Sequence, residues 1–109
     1  KQEEPSVAIR ERVNAARERQ RQRFEGKPYH CNADIPAGEL QEMCPTTQAA
    51  SQLLQRAFER FGFSARTYGR VVKVARTIAD LDGSDQIDTS HVAEAVQYRT
   101  LDRKYWLKK

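Results

Sequence analysis

Four cations recur within eleven residues of this chain: Arg66, Arg70, Lys73 and Arg76. Wound as an α-helix at about 100° per residue, they share an arc of about 120°. Tyr68, Val71, Val72, Ala75, Ile78 and Ala79 share an arc of similar width on the other side. One face can therefore be buried while the other offers positive charge to an acidic ligand. Ser64 is a favourable N-cap for such a helix, because its hydroxyl can accept from a free backbone N–H of the first turn. Arg66 then stands at about the second helical position, where a cation opposes the partial positive charge of the helix N-terminus. That placement costs a few tenths of a kcal/mol, and a bound anion turns the cost into a gain. Local chemistry leaves two readings: a solvated arginine lying back over the preceding helix, or a contact to phosphate.

A second cationic stretch lies near the start, with six arginines between residues 10 and 23. Arg17, Arg19, Arg21 and Arg23, with Lys104 in the tail, are candidate nucleic-acid contacts. The interspersed Glu11 and Glu18 argue for a solvated, mixed-charge face instead. Around Lys104, the run from Tyr98 to Trp106 mixes cations with aromatics, which can stack on bases or pack back onto the same domain. Cys31 and Cys44 are too few for a disulfide framework and too far apart for a CxxC redox pair. Their spacing with His30 and His91 fits no common zinc pattern, so they read as reduced, packed thiols. His91 reads as an exposed surface residue. The sequence contains no GxxxxGK[ST], HExxH or GxSxG motif, no carboxylate pair set up for acid–base work, and no nucleophile with a base. Catalysis by this chain alone is not expected.

The elements that position these residues read as helices throughout. The 109 residues suffice for one small domain, and 39% hydrophobic with 31% charged residues suits a helical domain with a large polar surface. No apolar run approaches the roughly 18 residues of a membrane span. The chain starts at Lys1 rather than Met, so it is expected to be a piece of a longer protein. Its net charge of +4 is unevenly placed. Residues 1–28 hold eight Lys or Arg against five Glu, residues 29–98 six against nine acidic residues, and residues 99–109 five against one. The basic pI comes from the two ends, which weakens any argument from pI alone to nucleic acid.

Pro5 and Ser6 open a helix over residues 6–24 whose only apolar line is Ile9, Val13 and Ala16, the pattern of a connector or of a helix that docks on another domain. Gly26-Lys27-Pro28 breaks it. Asp34 is placed to cap a short helix from about Pro36 to Met43, with Leu40 and Met43 buried and Pro45 ending it. Thr46 or Thr47 caps the next helix, to about Phe61, with Leu53, Leu54, Ala57, Phe58 and Phe61 as its core stripe. Gly62 suits the left-handed position that closes it, and Phe63 fills the turn into an antiparallel helix over 64–81. After the polar turn Asp82-Gly83-Ser84-Asp85, Ile87 and Val92 form a hydrophobic staple around an N-cap at Asp88 and predict a last helix over about 89–98. The organisation is a charged N-terminal helix, residues 1–28, and an all-α bundle, residues 29–109.

Ser64-Ala65-Arg66, the run from Val74 to Leu81 and the run from His91 to Arg99 resemble the C-terminal domain of magnesium-chelatase-like AAA+ ATPases, in their competence-type (ComM/YifB) branch. Shorter matches at Ile9–Val13, Ala16–Gln20, Asn32-Ala33 and Leu101–Arg103 extend the resemblance over about residues 6–103. It implies a small helical lid that follows a nucleotide-binding α/β domain, here preceded by a long connecting helix. It also implies that Arg66 is the sensor-2 arginine that reaches the γ-phosphate of ATP, with Arg70 supporting it or meeting a neighbouring subunit. The family's Walker lysine, Mg²⁺-binding carboxylate and arginine finger have no counterpart in this stretch. ATP with Mg²⁺ is thus the implied cofactor of the parent protein, with none bound tightly by this stretch. The implied partners are the AAA+ core of the same chain, further subunits of a hexameric ring, and DNA, in the cytoplasm of a bacterium. Nothing in these residues points directly to porphyrin or magnesium chemistry.

Overall fold

The computed structural model describes residues 6–107, with side chains described as far as residue 98. Among the described residues there are five α-helices and two short 3-10 turns, and no strand. The helices are α1 (Ser6–Arg23), α2 (Leu40–Met43), α3 (Gln48–Phe61), α4 (Ala65–Leu81) and α5 (Thr89–Leu107); the 3-10 turns are Asn32–Asp34 and Ala37–Glu39. This is the small all-α bundle that the periodicity predicts.

α4 lies at the centre, packed on α5, α1, α2 and the Asn32–Asp34 turn. Val71, Val72, Ala75 and Ala79 are enclosed, in one core with Leu54 of α3 and with Val92 and Ala95 of α5. Its other flank is covered by α1 and by the Asn32–Asp34 turn. Local signals set its limits. Ser64 accepts from Thr67 N–H at 3.1 Å, and Thr47 caps α3 in the same way from Ala50 N–H. Gly62 closes α3 at φ 63°, left-handed geometry that costs glycine little. Between α4 and α5, Ile87 exchanges backbone hydrogen bonds with the segment before α3, through Thr47 N–H and Pro45 C=O at 2.9 and 2.8 Å. Ile87 and Val92 are fully buried on either side of Asp88, as a staple requires.

Several expectations need correction. Asp34 caps nothing: it ends the first 3-10 turn and accepts from the Cys31 thiol, while the next turn starts at Pro36 without a side-chain cap. Two turns of different pitch therefore replace the single helix over 36–43. Phe58 and Phe61 are about two-fifths exposed and stand outside the buried core that holds Leu54. Phe58 meets Tyr68 edge-on and Phe61 stacks on Phe63. The last helix runs on to Leu107, which the absence of Gly and Pro after Tyr98 permits. α1 packs on this domain itself, through buried Ala16, with Phe24 just beyond its end, whereas Ile9 stays exposed. No helix among the described residues is long and apolar enough to cross a membrane.

Candidate functional site

A cleft of about 820 Å³ lies over the first half of α4, between the 3-10 segment on one side and α5 on the other. Arg66, Arg70 and Lys73 line it from α4, Ala33 and Ala37 from the 3-10 turns, Leu40 from α2, and Ala95 and Tyr98 from α5. The helix is well placed to hold cations there. Ser64 fixes the first turn, and Gly69, whose Cβ would come 3.3 Å from Leu40 Cδ1, keeps the wall beside Arg66 and Arg70 low. Arg66 and Arg70 are exposed and have no ion-pair or hydrogen-bond partner among the described residues. Lys73 donates to Ala33 C=O at 3.1 Å, which uses one of its three protons, and it has no ion-pair partner among the described residues. Three positive charges therefore face one cleft, and no carboxylate lines it among the described residues. Such a site attracts a phosphate or carboxylate ligand, and guanidinium groups bind phosphate through paired, charge-assisted hydrogen bonds.

Arg76, predicted to share this face, does not. It is fully buried, because α1 and the Asn32–Asp34 turn enclose the flank of α4 that it occupies. It pairs with Asp80 at 3.0 Å and donates to the carbonyls of Ser84 and Asp85 at 2.6 and 2.9 Å. Asp80 also receives both guanidinium nitrogens of Arg23 of α1, at 2.6 and 3.0 Å, and the amide of Asn32 at 3.0 Å. Burial pushes the Asp80 carboxyl up, but the hydrogen bonds from Arg23 and Asn32 and the charges of Arg76 and Arg23 outweigh it and hold it below the usual value. Burial draws the Arg76 guanidinium down, partly offset by Asp80. Charge on this flank joins α1, α4 and the turn to α5 into one body.

The arginines offered for nucleic acid are distributed differently. Arg23 is in the buried network, Arg19 binds Asp85 at 2.8 Å and the Gly83 carbonyl at 2.9 Å, and Arg21 is paired with Glu18. Arg17 is exposed. Lys104 falls in α5, outside the residues with described side chains.

Sequence reasoning missed two residues. His91, expected at the surface, is 4% exposed. At the third position of α5 its Nδ1 accepts from Asp88 N–H at 2.9 Å, and its Nε2 meets Asp82 at 3.0 Å, so it serves as the second half of a capping box. The Asp-x-x-His spacing carried that signal. Asp80 was read only as part of the motif; an acid four residues after Arg76 was the clue to their pairing. Among the described residues, no group of three His, Cys, Asp or Glu side chains can hold a metal ion.

Residues 3–99 match the family described as "Magnesium chelatase, subunit ChlI C-terminal", and the chain belongs to that family. It is 41% identical to the protein YifB of Escherichia coli K12 and 40% identical to the competence protein ComM of Haemophilus influenzae, each over 92% of this chain. An uncharacterized protein of Mycobacterium tuberculosis H37Rv is 31% identical over 88% of it. The chain spans 19% of the length of each of these relatives. No solved structure matches it.

Proposed function

We propose that this domain is the helical lid of an AAA+ ATPase and that Arg66 contacts the terminal phosphate of ATP bound in the parent protein. The observation that carries this reading is the pair Arg66 and Arg70, exposed at the start of α4 without a partner among the described residues, while Arg19, Arg21, Arg23 and Arg76 are engaged by other groups of the chain. A phosphate group fits that end of the helix, where free backbone N–H groups and two guanidinium groups converge on negative charge. The family resemblance assigns the ligands of the accompanying Mg²⁺ to the nucleotide-binding domain of the parent. ATP bound with its metal supplies the phosphoanhydride whose cleavage drives the ring. Arg66 holds charge on its oxygens and ties the position of α4 to the nucleotide state. Because Asp80 and Arg23 lock α4 to α1, a shift of α4 is delivered to α1 as a unit.

The family resemblance implies a wider reading, in which the parent assembles as a hexameric ring in the bacterial cytoplasm and processes DNA during natural transformation; the likeness to a competence protein supports its last part. The test is ATP turnover by the intact parent, wild type against Arg66→Ala, with and without single-stranded DNA. Loss of turnover with ATP and DNA binding largely retained is the expected result. Unchanged turnover removes the sensor role. Turnover that ignores single-stranded DNA counts against the DNA reading while leaving the lid assignment standing.

A further inference from the structure

We propose that the cleft over α4 also holds the remainder of the nucleotide, with Arg70 as a second phosphate ligand and the ring of Tyr98 stacked on the base. This rests on the reading of Arg66 as a phosphate contact and assigns the groups beside it.

The cleft has two chemically different ends. On the α4 side stand Arg66 and Arg70, one helical turn and therefore about 6 Å apart along the axis. On the α5 side stands Tyr98, 61% exposed, with no ring or hydrogen-bond partner among the described residues. An aromatic side chain left this open on a helix that otherwise buries Val92 and Ala95 forgoes the burial its apolar ring could gain. The remaining walls are Lys73, which donates to Ala33 C=O, and small or apolar side chains such as Leu40, Gly69, Val74 and Ala95. A volume of about 820 Å³ falls in the range of about 300–1,000 Å³ typical of small-molecule sites. A ligand with a polyanion at one end and a flat π-system at the other matches both. A nucleoside triphosphate is such a molecule, and inorganic polyphosphate satisfies only the cationic end. Stacking takes any base, because every base has a π-face.

The experiment follows amide resonances of the ¹⁵N-labelled 109-residue chain as ATP or inorganic tripolyphosphate is added. With ATP, signals around Arg66, Arg70 and Tyr98 should move together; with tripolyphosphate, those around the two arginines. Arg70→Ala should weaken both ligands. Tyr98→Ala should weaken ATP about tenfold and leave tripolyphosphate unchanged, and Tyr98→Phe should match wild type for both. Equal binding of ATP by wild type and Tyr98→Ala overturns the base site. So does an equal loss for both ligands, because the ring would then only shape the cleft. If Arg66→Ala leaves both ligands unaffected while Tyr98→Ala still weakens ATP, the phosphate reading of Arg66 fails and the base site survives. No response of the cleft resonances at tens of millimolar ATP overturns a base site formed by this chain, and the turnover of the parent then decides Arg66 by itself.

Discussion

The two ends of α4 treat the same residue type in opposite ways. Near its C-terminus Arg76 is enclosed and paired with Asp80, whose carboxylate also takes Arg23 and Asn32. Near its N-terminus Arg66 and Arg70 stand in the open with no partner among the described residues. Neutralised charge holds the fold: Arg23 and Asn32 reach Asp80 from other elements, Arg76 reaches the Ser84 and Asp85 carbonyls, and among the described residues only Arg76 Nε is a buried side-chain polar atom without a hydrogen bond. Charge left without a counter-ion is free to meet a ligand. The lesson is that a cationic stripe read from a helical wheel is not one object. Lys73 and the two arginines beside it form one group, and Arg76, one turn on, belongs to another.

The sharpest way to break this comparison is to remove the shared acid. Asp80→Ala leaves Arg23 and Arg76 with like charges and no counter-ion, Arg76 fully buried. A loss of about 3–5 kcal/mol is expected, the cost of stripping one partner from a buried pair. Arg66→Ala combined with Arg70→Ala should change stability by less than about 0.5 kcal/mol, as exposed substitutions do. Urea unfolding of both variants measures the contrast. Similar losses would mean that the open arginines are also structural.

Acid provides a second contrast, of intermediate size. The folded Asp80 carboxyl is held below its ordinary value. Its contribution is therefore present above the unfolded pKa of about 3.9 and is lost as pH falls from there through the folded value, at about 1.4 kcal/mol for each unit of depression. Stability followed from neutral pH into this acid range should fall steeply in wild type and less steeply in Asp80→Asn. Substitutions at Arg66 and Arg70 should leave the acid slope where it is. An equal slope in Asp80→Asn would assign acid sensitivity to other carboxylates.

Ser64→Ala sharpens the comparison from the open end. Its hydroxyl is the only side-chain acceptor recorded for the first turn of α4 among the described residues. Its loss should cost about 1 kcal/mol of stability. Because the same turn carries Arg66, hydrogen exchange should rise at residues 65–68 and stay unchanged around Asp80, where the network holds the helix independently. Faster exchange along the whole helix would show that the two ends are not separable.

How much of this was legible in the sequence follows from the range of each signal. The bounds of α3 and α4 were, because Thr47, Gly62 and Ser64 act within one turn of themselves. So was the inner face of α4, because its apolar period repeats over the whole helix. The burial of Arg76 was not: it depends on α1 arriving from more than fifty residues away, as the Arg23–Asp80 separation records. The exposure of Phe58 and Phe61 was hidden for a related reason. Periodicity shows which face a residue is on but not where the neighbouring helix ends. At the site, Arg66 was legible through its clash with the helix dipole and through the family motif, whereas Tyr98 becomes a wall of the cleft only once α5 is folded back along α4.

The smallest effect concerns that clash. Arg66 occupies the second position of α4, behind the Ser64 cap, with no acid in the first turn to balance it. The unsatisfied N–H groups there amount to about half a positive charge. If nothing but folding had selected this residue, a neutral or acidic side chain would serve better. Arg66→Ala should therefore raise the stability of the chain by a few tenths of a kcal/mol at low ionic strength, and Arg66→Glu by somewhat more. Added salt should shrink both gains, since exposed charges are screened. Arg70→Ala, one turn further from the terminus, should show less of the effect because it falls off within the first turn. Thermal unfolding at low and high salt resolves the sign. A gain at Arg66 means that the fold tolerates a cation its own helix opposes, which is what a ligand's negative charge would repay. A loss would mean that Arg66 is held by the protein after all, and the two ends of α4 would then differ in degree only.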